Sequence, residues 1–111
     1  MTSPTRYQTQ SPDRAAVDAL PGATVLEFGT DWCGYCKAAQ PAIQQAMQQQ
    51  SVQQVVRHLK VEDGPGRPLG RSFKVKLWPT LIFLRDGVEV DRAVRPGSAD
   101  EIAGKLARIA G

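Results

Sequence analysis

Two cysteines separated by two residues are the part of this sequence best suited to chemistry. Cys33 and Cys36 are the only cysteines among the 111 residues. A pair this close in the chain cannot join distant parts of a fold, so a structural disulfide framework is excluded. The spacing predicts either a redox-active dithiol or half of a metal site. Zinc would need two further ligands and His58 is the only histidine, so a metal site would require a metal-bridged dimer. We therefore favour the redox pair and expect no metal.

The flanking patterns place Cys33 at the start of a helix. Residues Ala23–Gly29 carry the apolar run of a buried strand, and the segment from Cys33 to about Gln50 has helical spacing. The dipole and the unpaired N–H groups at a helix N-terminus favour a thiolate, so we expect a lowered pKa for Cys33 and assign it as nucleophile. Cys36, one turn on, should be more buried and should resolve the mixed disulfide. Gly34 leaves room for a substrate backbone.

The remaining patterns predict one α/β domain over residues 1–111. The first ten residues show little periodicity and form a flexible terminus or a short edge strand anchored by Tyr7. Further elements are expected in this order: a helix capped by Ser11 and stopped at Pro21-Gly22, a strand over Val55–Val61, a short helix around Pro68–Phe73, strands over Leu81–Leu84 and Val88–Val94 joined by an Asp86-Gly87 hairpin, and a helix opened by the capping box Ser98–Glu101. Strands alternating with helices imply a layered fold with a mixed sheet.

Composition narrows the class of protein. The apolar fraction is 41% and the charged fraction 23%, which is typical of a globular domain. The net charge of +3 comes from basic residues with no dense block, so nucleic-acid binding is not expected. The longest run of large apolar residues, Leu81–Leu84, is too short to cross a membrane. The polar N-terminus has no continuous apolar stretch, so we expect no secretory signal. We expect a cytoplasmic monomer.

Several motifs in order resemble the thioredoxin family. They cover roughly Ser11 to Gly111 and comprise the following residues: Trp32-Cys33-Gly34-x-Cys36-Lys37, the helix-kinking Pro41, Pro79-Thr80 after a short helix, and the hairpin Gly87. The resemblance implies a thioredoxin-like fold, with a central mixed sheet flanked by helices and Pro79 in a cis peptide beside the cysteines. It implies protein disulfides as substrates and a thioredoxin reductase or another dithiol as electron donor. It also implies no cofactor beyond the redox-active disulfide.

Three residues depart from the usual pattern of the family. Tyr35 stands where thioredoxins usually carry proline, so the motif C-G-Y-C resembles that of periplasmic disulfide isomerases. Trp78 precedes the cis-proline, where a smaller residue is usual, and its ring would crowd or extend the substrate groove. Arg95 replaces a glycine in the loop facing the cysteines, where it would stabilise the Cys33 thiolate, select acidic substrates, or simply be solvated. Trp32 is interpreted as part of the site rim, with a core position as the alternative.

Glu27 occupies the position of the family's buried aspartate, six residues before Cys33. Because burial penalises a carboxylate, we expect a raised pKa and a general base for Cys36. On that basis Glu27→Gln should be more stable than the parent at neutral pH. The alternative is an exposed carboxylate at a strand edge. Lys60 matches the family's lysine near this acid, and His58 is given no role.

The leading hypothesis is a protein disulfide reductase acting through Cys33 and Cys36. A disulfide isomerase or oxidase is the alternative suggested by Tyr35. A binding module with incidental cysteines is a third hypothesis, disfavoured by the combination of both cysteines with Glu27 and Pro79.

Overall fold

The computed structural model describes residues 4–49, 52 and 55–110. Its named elements, in chain order, are α1 (Arg14–Asp18), β1 (Ala23–Gly29), α2 (Gly34–Met47), β2 (Val56–Glu62), α3 (Pro68–Ser72), β3 (Thr80–Arg85), β4 (Val88–Val94) and α4 (Ala99–Ala110). The four strands form one sheet in the order β2-β1-β3-β4. β1 is parallel to β2 and antiparallel to β3, and β3 and β4 form an antiparallel hairpin. The expected mixed sheet is thus confirmed.

Helices cover both faces of the sheet because β1 and β3 are apolar on both sides. Successive strand residues point to opposite faces. On one face, Val25 and Phe83 pack with Ile43 of α2 and Leu106 of α4. The opposite face packs against α1 and the region of α3 through these residues: Val17, Leu26, Phe28, Leu69, Phe73 and Ile82. The alternation therefore directs Glu27, two residues after Val25, to the face covered by α2.

The N-cap of α1 is Asp13 and not Ser11, so that part of the prediction is wrong. The Asp13 carboxylate accepts a hydrogen bond from the Ala16 backbone N–H at 2.8 Å. A carboxylate at this position satisfies an otherwise unpaired helix N–H and also interacts favourably with the helix dipole. Helix α2 ends at Met47, short of the predicted end at Gln50, which lies outside the described residues.

The hairpin between β3 and β4 has the predicted Asp-Gly turn. Both Asp86 (φ 51°) and Gly87 (φ 81°) have left-handed backbone angles, as the tight turn requires. A Cβ on Gly87 would lie 1.9 Å from the Asp18 carbonyl oxygen. Glycine is therefore needed for both the backbone angle and the close approach of α1.

The N-terminal segment adds a short bridge to the edge of the sheet. Gln8 pairs with Val61 in parallel fashion, through Gln8 N–H to the Lys60 carbonyl and Glu62 N–H to the Gln8 carbonyl, each at 2.9 Å. This pairing fixes the neighbouring Tyr7, which is buried.

Within the described ranges, no helix is both long and apolar enough to cross a membrane. Over the same residues, no group of three or more His, Cys, Asp and Glu side chains could hold a metal ion.

Candidate active site

Cys33 and Cys36 lie at the N-terminus of α2, as the sequence pattern predicts. Cys33 is the N-cap residue, and its Sγ accepts a hydrogen bond from the Cys36 backbone N–H at 3.4 Å. Both are free thiols, with Cys33 8% exposed and Cys36 1% exposed. Both cysteines are thus buried, and Cys33 is the more accessible of the two.

The surroundings of the two thiols separate their acidities. Burial opposes ionisation of Cys33, but a hydrogen bond with the Cys36 thiol, backbone N–H groups of Cys36 and Tyr35, and the Arg95 charge outweigh it and lower the pKa. Burial and the interaction with Cys33 raise the pKa of Cys36 to about 11. Cys33 is therefore the more acidic thiol and the first of the two to ionise.

Two tryptophans stand beside the cysteines. Trp32 is 70% exposed, and its ring meets that of Trp78 edge to face, with centroids 6.0 Å apart. Trp78 packs against the cluster that Tyr7 forms with the two cysteines, and its Nε1 donates to Asp63 Oδ2 at 2.8 Å. Trp32 is therefore a rim residue and not part of the core.

Arg95 contacts three residues near the cysteines, namely Tyr35, Trp78 and Pro79. Its guanidinium lies over the Tyr35 ring, 3.7 Å from the centroid, and its Nε donates to the Trp78 carbonyl at 2.9 Å. Its backbone N–H donates to the Pro79 carbonyl at 2.8 Å, next to the cis peptide between Trp78 and Pro79. Arg95 has a φ of 50°, a conformation that favours the glycine usual at this place. The side chain is thus anchored at the site and is not simply a solvated cation.

Gly34 follows Cys33 as the first residue of α2. A Cβ built on it would meet no described atom within 4 Å. The space above this residue is open, as close approach by another backbone would require.

Glu27 is completely buried beneath the cysteines, so the strand-edge alternative is excluded. Its Oε2 accepts hydrogen bonds from Tyr7 Oη at 2.5 Å and from Gln40 Nε2 at 2.9 Å. Its Oε1 lies 2.9 Å from His58 Nε2, and Lys60 Nζ lies 3.8 Å from Oε2. Four polar groups from three separate parts of the chain thus surround one carboxyl.

The pKa of Glu27 is lowered, which is opposite to the expected direction. Burial raises it, but the hydrogen bond and charge of His58, followed by the charge of Lys60 and the Gln40 amide, outweigh burial. Glu27 is therefore ionised at neutral pH. A carboxylate has no proton to give, so His58 Nε2 carries the proton of that contact.

Lys60 is buried and orients the network. Its Nζ donates to Gln40 Oε1 at 2.8 Å and lies 4.4 Å from the centroid of the Tyr7 ring. Because the Gln40 oxygen faces Lys60, the amide nitrogen is directed to Glu27 and to the Cys36 carbonyl, each at 2.9 Å. Lys60 thus reaches Glu27 both through its charge and through Gln40.

Three members of this network were missed by the sequence reasoning: Tyr7, Gln40 and His58. Two had a usable signal. Gln40 lies one turn after Cys36 on α2. His58 lies two residues before Lys60 and therefore on the same face of β2, and Lys60 is the residue that pairs with Glu27. Tyr7 had none beyond its place in the possible edge strand.

Comparison with known proteins shows which family the chain belongs to. Residues 8–108 match the sequence model of the thioredoxin family. The chain belongs to the thioredoxin family. Its structure superimposes on that of thioredoxin 2 from Pseudomonas aeruginosa PAO1 in its reduced form with a TM-score of 0.84, at 55% sequence identity and 96% coverage of both chains. The expected fold and family are thus confirmed.

Curated relatives include proteins of two lengths. The thioredoxin of Chlamydia muridarum is 33% identical over 87 residues, which is 78% of this chain and 82% of the relative. The protein disulfide-isomerase A2 of Pongo abelii is 36% identical over 92 residues, or 80% of this chain, but the chain spans only 18% of that relative. The two cysteines of this thioredoxin domain lie together, with the Cys36 backbone N–H donating to Cys33 Sγ.

Proposed function

We propose that the protein reduces disulfide bonds in other proteins, with Cys33 as the nucleophile and Cys36 as the resolving thiol. The observation that carries the proposal is the separation of the two acidities. Cys33, the more accessible of the two, ionises more readily, while a pKa of about 11 keeps Cys36 protonated at neutral pH. This is the order that a two-step exchange needs, because the thiolate is the attacking species.

The exchange proceeds in two balanced steps. Cys33 Sγ attacks one sulfur of the substrate disulfide, and the other sulfur leaves as a thiolate. Cys36 then loses its proton and attacks Cys33 Sγ, which forms the Cys33–Cys36 disulfide and releases the second substrate thiolate. The protein is oxidised by two electrons and the substrate is reduced by two. The cysteine pair is the only redox group this cycle uses.

Glu27 is the group we assign to receive the Cys36 proton, with Lys60 as its support. The carboxylate is buried near Cys36 and is ionised, so it can accept a proton. Its lowered pKa makes it a weaker base than burial alone predicts. Proton transfer to it is therefore brief and is completed by the attack of the Cys36 sulfur.

The substrate groove is formed by the rim around Cys33. Its residues are Trp32, Gly34, Tyr35, Trp78, Pro79 and Arg95. The exposed Trp32 ring offers apolar contact, and the open space above Gly34 admits an extended chain. The Arg95 cation favours substrates with acidic side chains near the disulfide.

The reduced state must be restored after each cycle, which defines the partners. A thioredoxin reductase or another dithiol would supply the two electrons to the Cys33–Cys36 disulfide. Such a donor is expected in a reducing compartment, so we assign a cytoplasmic location. We expect a monomer that contacts proteins, and a net charge of only +3 without a dense basic block argues against nucleic-acid and membrane binding.

Reduction of insulin with dithiothreitol as the donor tests this function. The parent should accelerate the precipitation of the insulin chains. Cys33→Ser should lose at least about a hundredfold of the rate, because Cys36, the one remaining thiol, is less accessible and less acidic. A Cys33→Ser variant that retains the parent's rate would contradict the assignment of Cys33, and a parent that does not accelerate the precipitation would favour a binding module.

Isomerase activity is the second candidate, because Tyr35 lies between the cysteines and several relatives are protein disulfide-isomerases. Its readout is the recovery of activity by a protein with scrambled disulfides in a glutathione buffer. A reductase should be strong in the insulin assay and weak in this one, while an isomerase should show the reverse.

A further inference from the structure

The hydroxyl of Tyr7 lies between Glu27 and the Cys36 sulfur. On one side it donates to Glu27 Oε2 at 2.5 Å. On the other, Tyr7 Oη and Cys36 Sγ converge on Gly29, since a Cβ there would lie 2.7 Å from the oxygen and 2.6 Å from the sulfur. Only a residue without a side chain permits this approach, so Gly29 allows the phenol to reach the buried thiol.

Glu27 itself has no direct hydrogen bond to Cys36 among the described residues. Its partners are Tyr7, Gln40 and His58, with Lys60 nearby. The phenol of Tyr7 instead packs in one buried cluster with both cysteines. The Tyr7 hydroxyl, which interacts with both the Cys36 thiol and Glu27, therefore connects the buried sulfur to the carboxylate.

We propose that the Tyr7 hydroxyl relays the proton of the Cys36 thiol to the Glu27 carboxylate during the second step of the exchange. The proposal rests on the dithiol exchange proposed above. The Cys36 S–H proton moves to Tyr7 Oη while the Tyr7 O–H proton moves to Glu27 Oε2. The electron pair left on the Cys36 sulfur forms the new bond to Cys33 Sγ as the substrate thiolate departs. Tyr7 ends the step as a neutral phenol and Glu27 as a neutral acid.

The surroundings suit a relay and not a base of its own. Burial, followed by the charge of Glu27, raises the pKa of Tyr7 far above its ordinary value, so the phenol does not ionise. It can only accept one proton while giving another. His58 and Lys60 hold Glu27 in the ionised form that accepts the transferred proton.

The test separates the two thiol steps. Reduced protein is mixed with 5,5′-dithiobis(2-nitrobenzoate), which releases one coloured thiolate when Cys33 attacks and a second when Cys36 resolves the adduct. Tyr7→Phe keeps the ring and removes the hydroxyl. The second release should slow by about a hundredfold, at the lower end of the usual contribution of a proton-transfer group, while the first changes less than about twofold.

Thr30→Val is the matched control, since it also removes a buried hydroxyl that lines the same cavity of about 120 Å³ beside Cys36. Thr30 Oγ1 has no partner among the described residues, so neither release should change. If Tyr7→Phe is poorly folded, Glu27→Gln removes the other end of the relay and should slow the second release alone. Combining the two substitutions should add little, because the groups act as a unit.

The outcomes are distinct. An unchanged second release in Tyr7→Phe overturns the relay, and so does a slow release in Glu27→Gln with a normal one in Tyr7→Phe. Absence of the first release from the parent protein overturns the proposed function itself.

Discussion

Replacing Glu27 with glutamine should destabilise the protein at neutral pH. The substitution preserves shape: a glutamine oxygen in the position of Oε2 keeps the bonds from Tyr7 and Gln40. Its amide NH₂ can donate to His58 Nε2 when the imidazole is neutral and carries its proton on Nδ1. Since Nδ1 has no partner among the described residues in the parent either, the number of unpaired imidazole nitrogens does not change. The variant therefore loses mainly the negative charge.

The magnitude follows from three hydrogen bonds. A bond to a charged group contributes about 1.5–3 kcal/mol and a neutral one about 0.5–1.5 kcal/mol, so three bonds lose about 3 kcal/mol together. Relief from burying a charge offsets part of this. Since the pKa of Glu27 is lowered, the bonds and charges outweigh that burial in the parent. We expect a net loss of about 2 kcal/mol, the reverse of the sign expected from burial alone.

The dependence on pH has a definite sign. A group whose folded pKa lies below its unfolded value of about 4.3 stabilises the fold above that value. The contribution falls as the pH drops through the folded pKa. The gap between parent and Glu27→Gln should thus be full at pH 7 and narrow progressively below about pH 4.

Denaturant melts at several pH values measure this gap. Glu89→Gln is the control, because it removes a carboxylate from a partly exposed pair with Arg92 and should cost less than about 1 kcal/mol. A Glu27→Gln variant that is as stable as the parent at pH 7, or more stable, would refute the argument that its partners overcome the burial of the charge.

Three further substitutions test other parts of the account. Cys36→Ser should trap substrates as stable mixed disulfides on Cys33, visible on non-reducing gels of a cell lysate, and the absence of adducts would contradict the two-step exchange. Arg95→Gln should raise the pKa of Cys33 and slow its alkylation by iodoacetamide at neutral pH about two- to fivefold. An unchanged rate would show that the Arg95 charge does not stabilise the Cys33 thiolate. Gly87→Ala should cost about 2 kcal/mol or more in denaturant melts, and a neutral effect would show that α1 can move away from the turn.

Local sequence patterns predict most of the fold because each strand, helix and turn is formed by consecutive residues. The apolar run of β1 and the Asp86-Gly87 turn were located to the residue. Cys33 could be placed at a helix start because a strand pattern ends just before it and a helix pattern begins just after it. Errors occurred where two residues compete for one role, as with Ser11 and Asp13 at the cap of α1.

The charge state of Glu27 could not be read from the chain because its partners are distant in sequence. Tyr7, Gln40 and His58 are 20, 13 and 31 residues away from it. Burial is visible in a local pattern, but the bonds that overcome burial exist only after the sheet and α2 have assembled. The contact of Arg95 with Tyr35 has the same origin.

The reduction potential of the Cys33–Cys36 pair tests the central claim most directly. Protein is equilibrated in glutathione buffers of different ratio, free thiols are trapped, and the oxidised fraction is read by mass, with Cys36→Ser as the control that cannot form the disulfide. If the protein is a disulfide reductase, the reduction potential should be about −270 mV. A value between about −180 and −120 mV would contradict that direction of exchange and identify an isomerase or an oxidase.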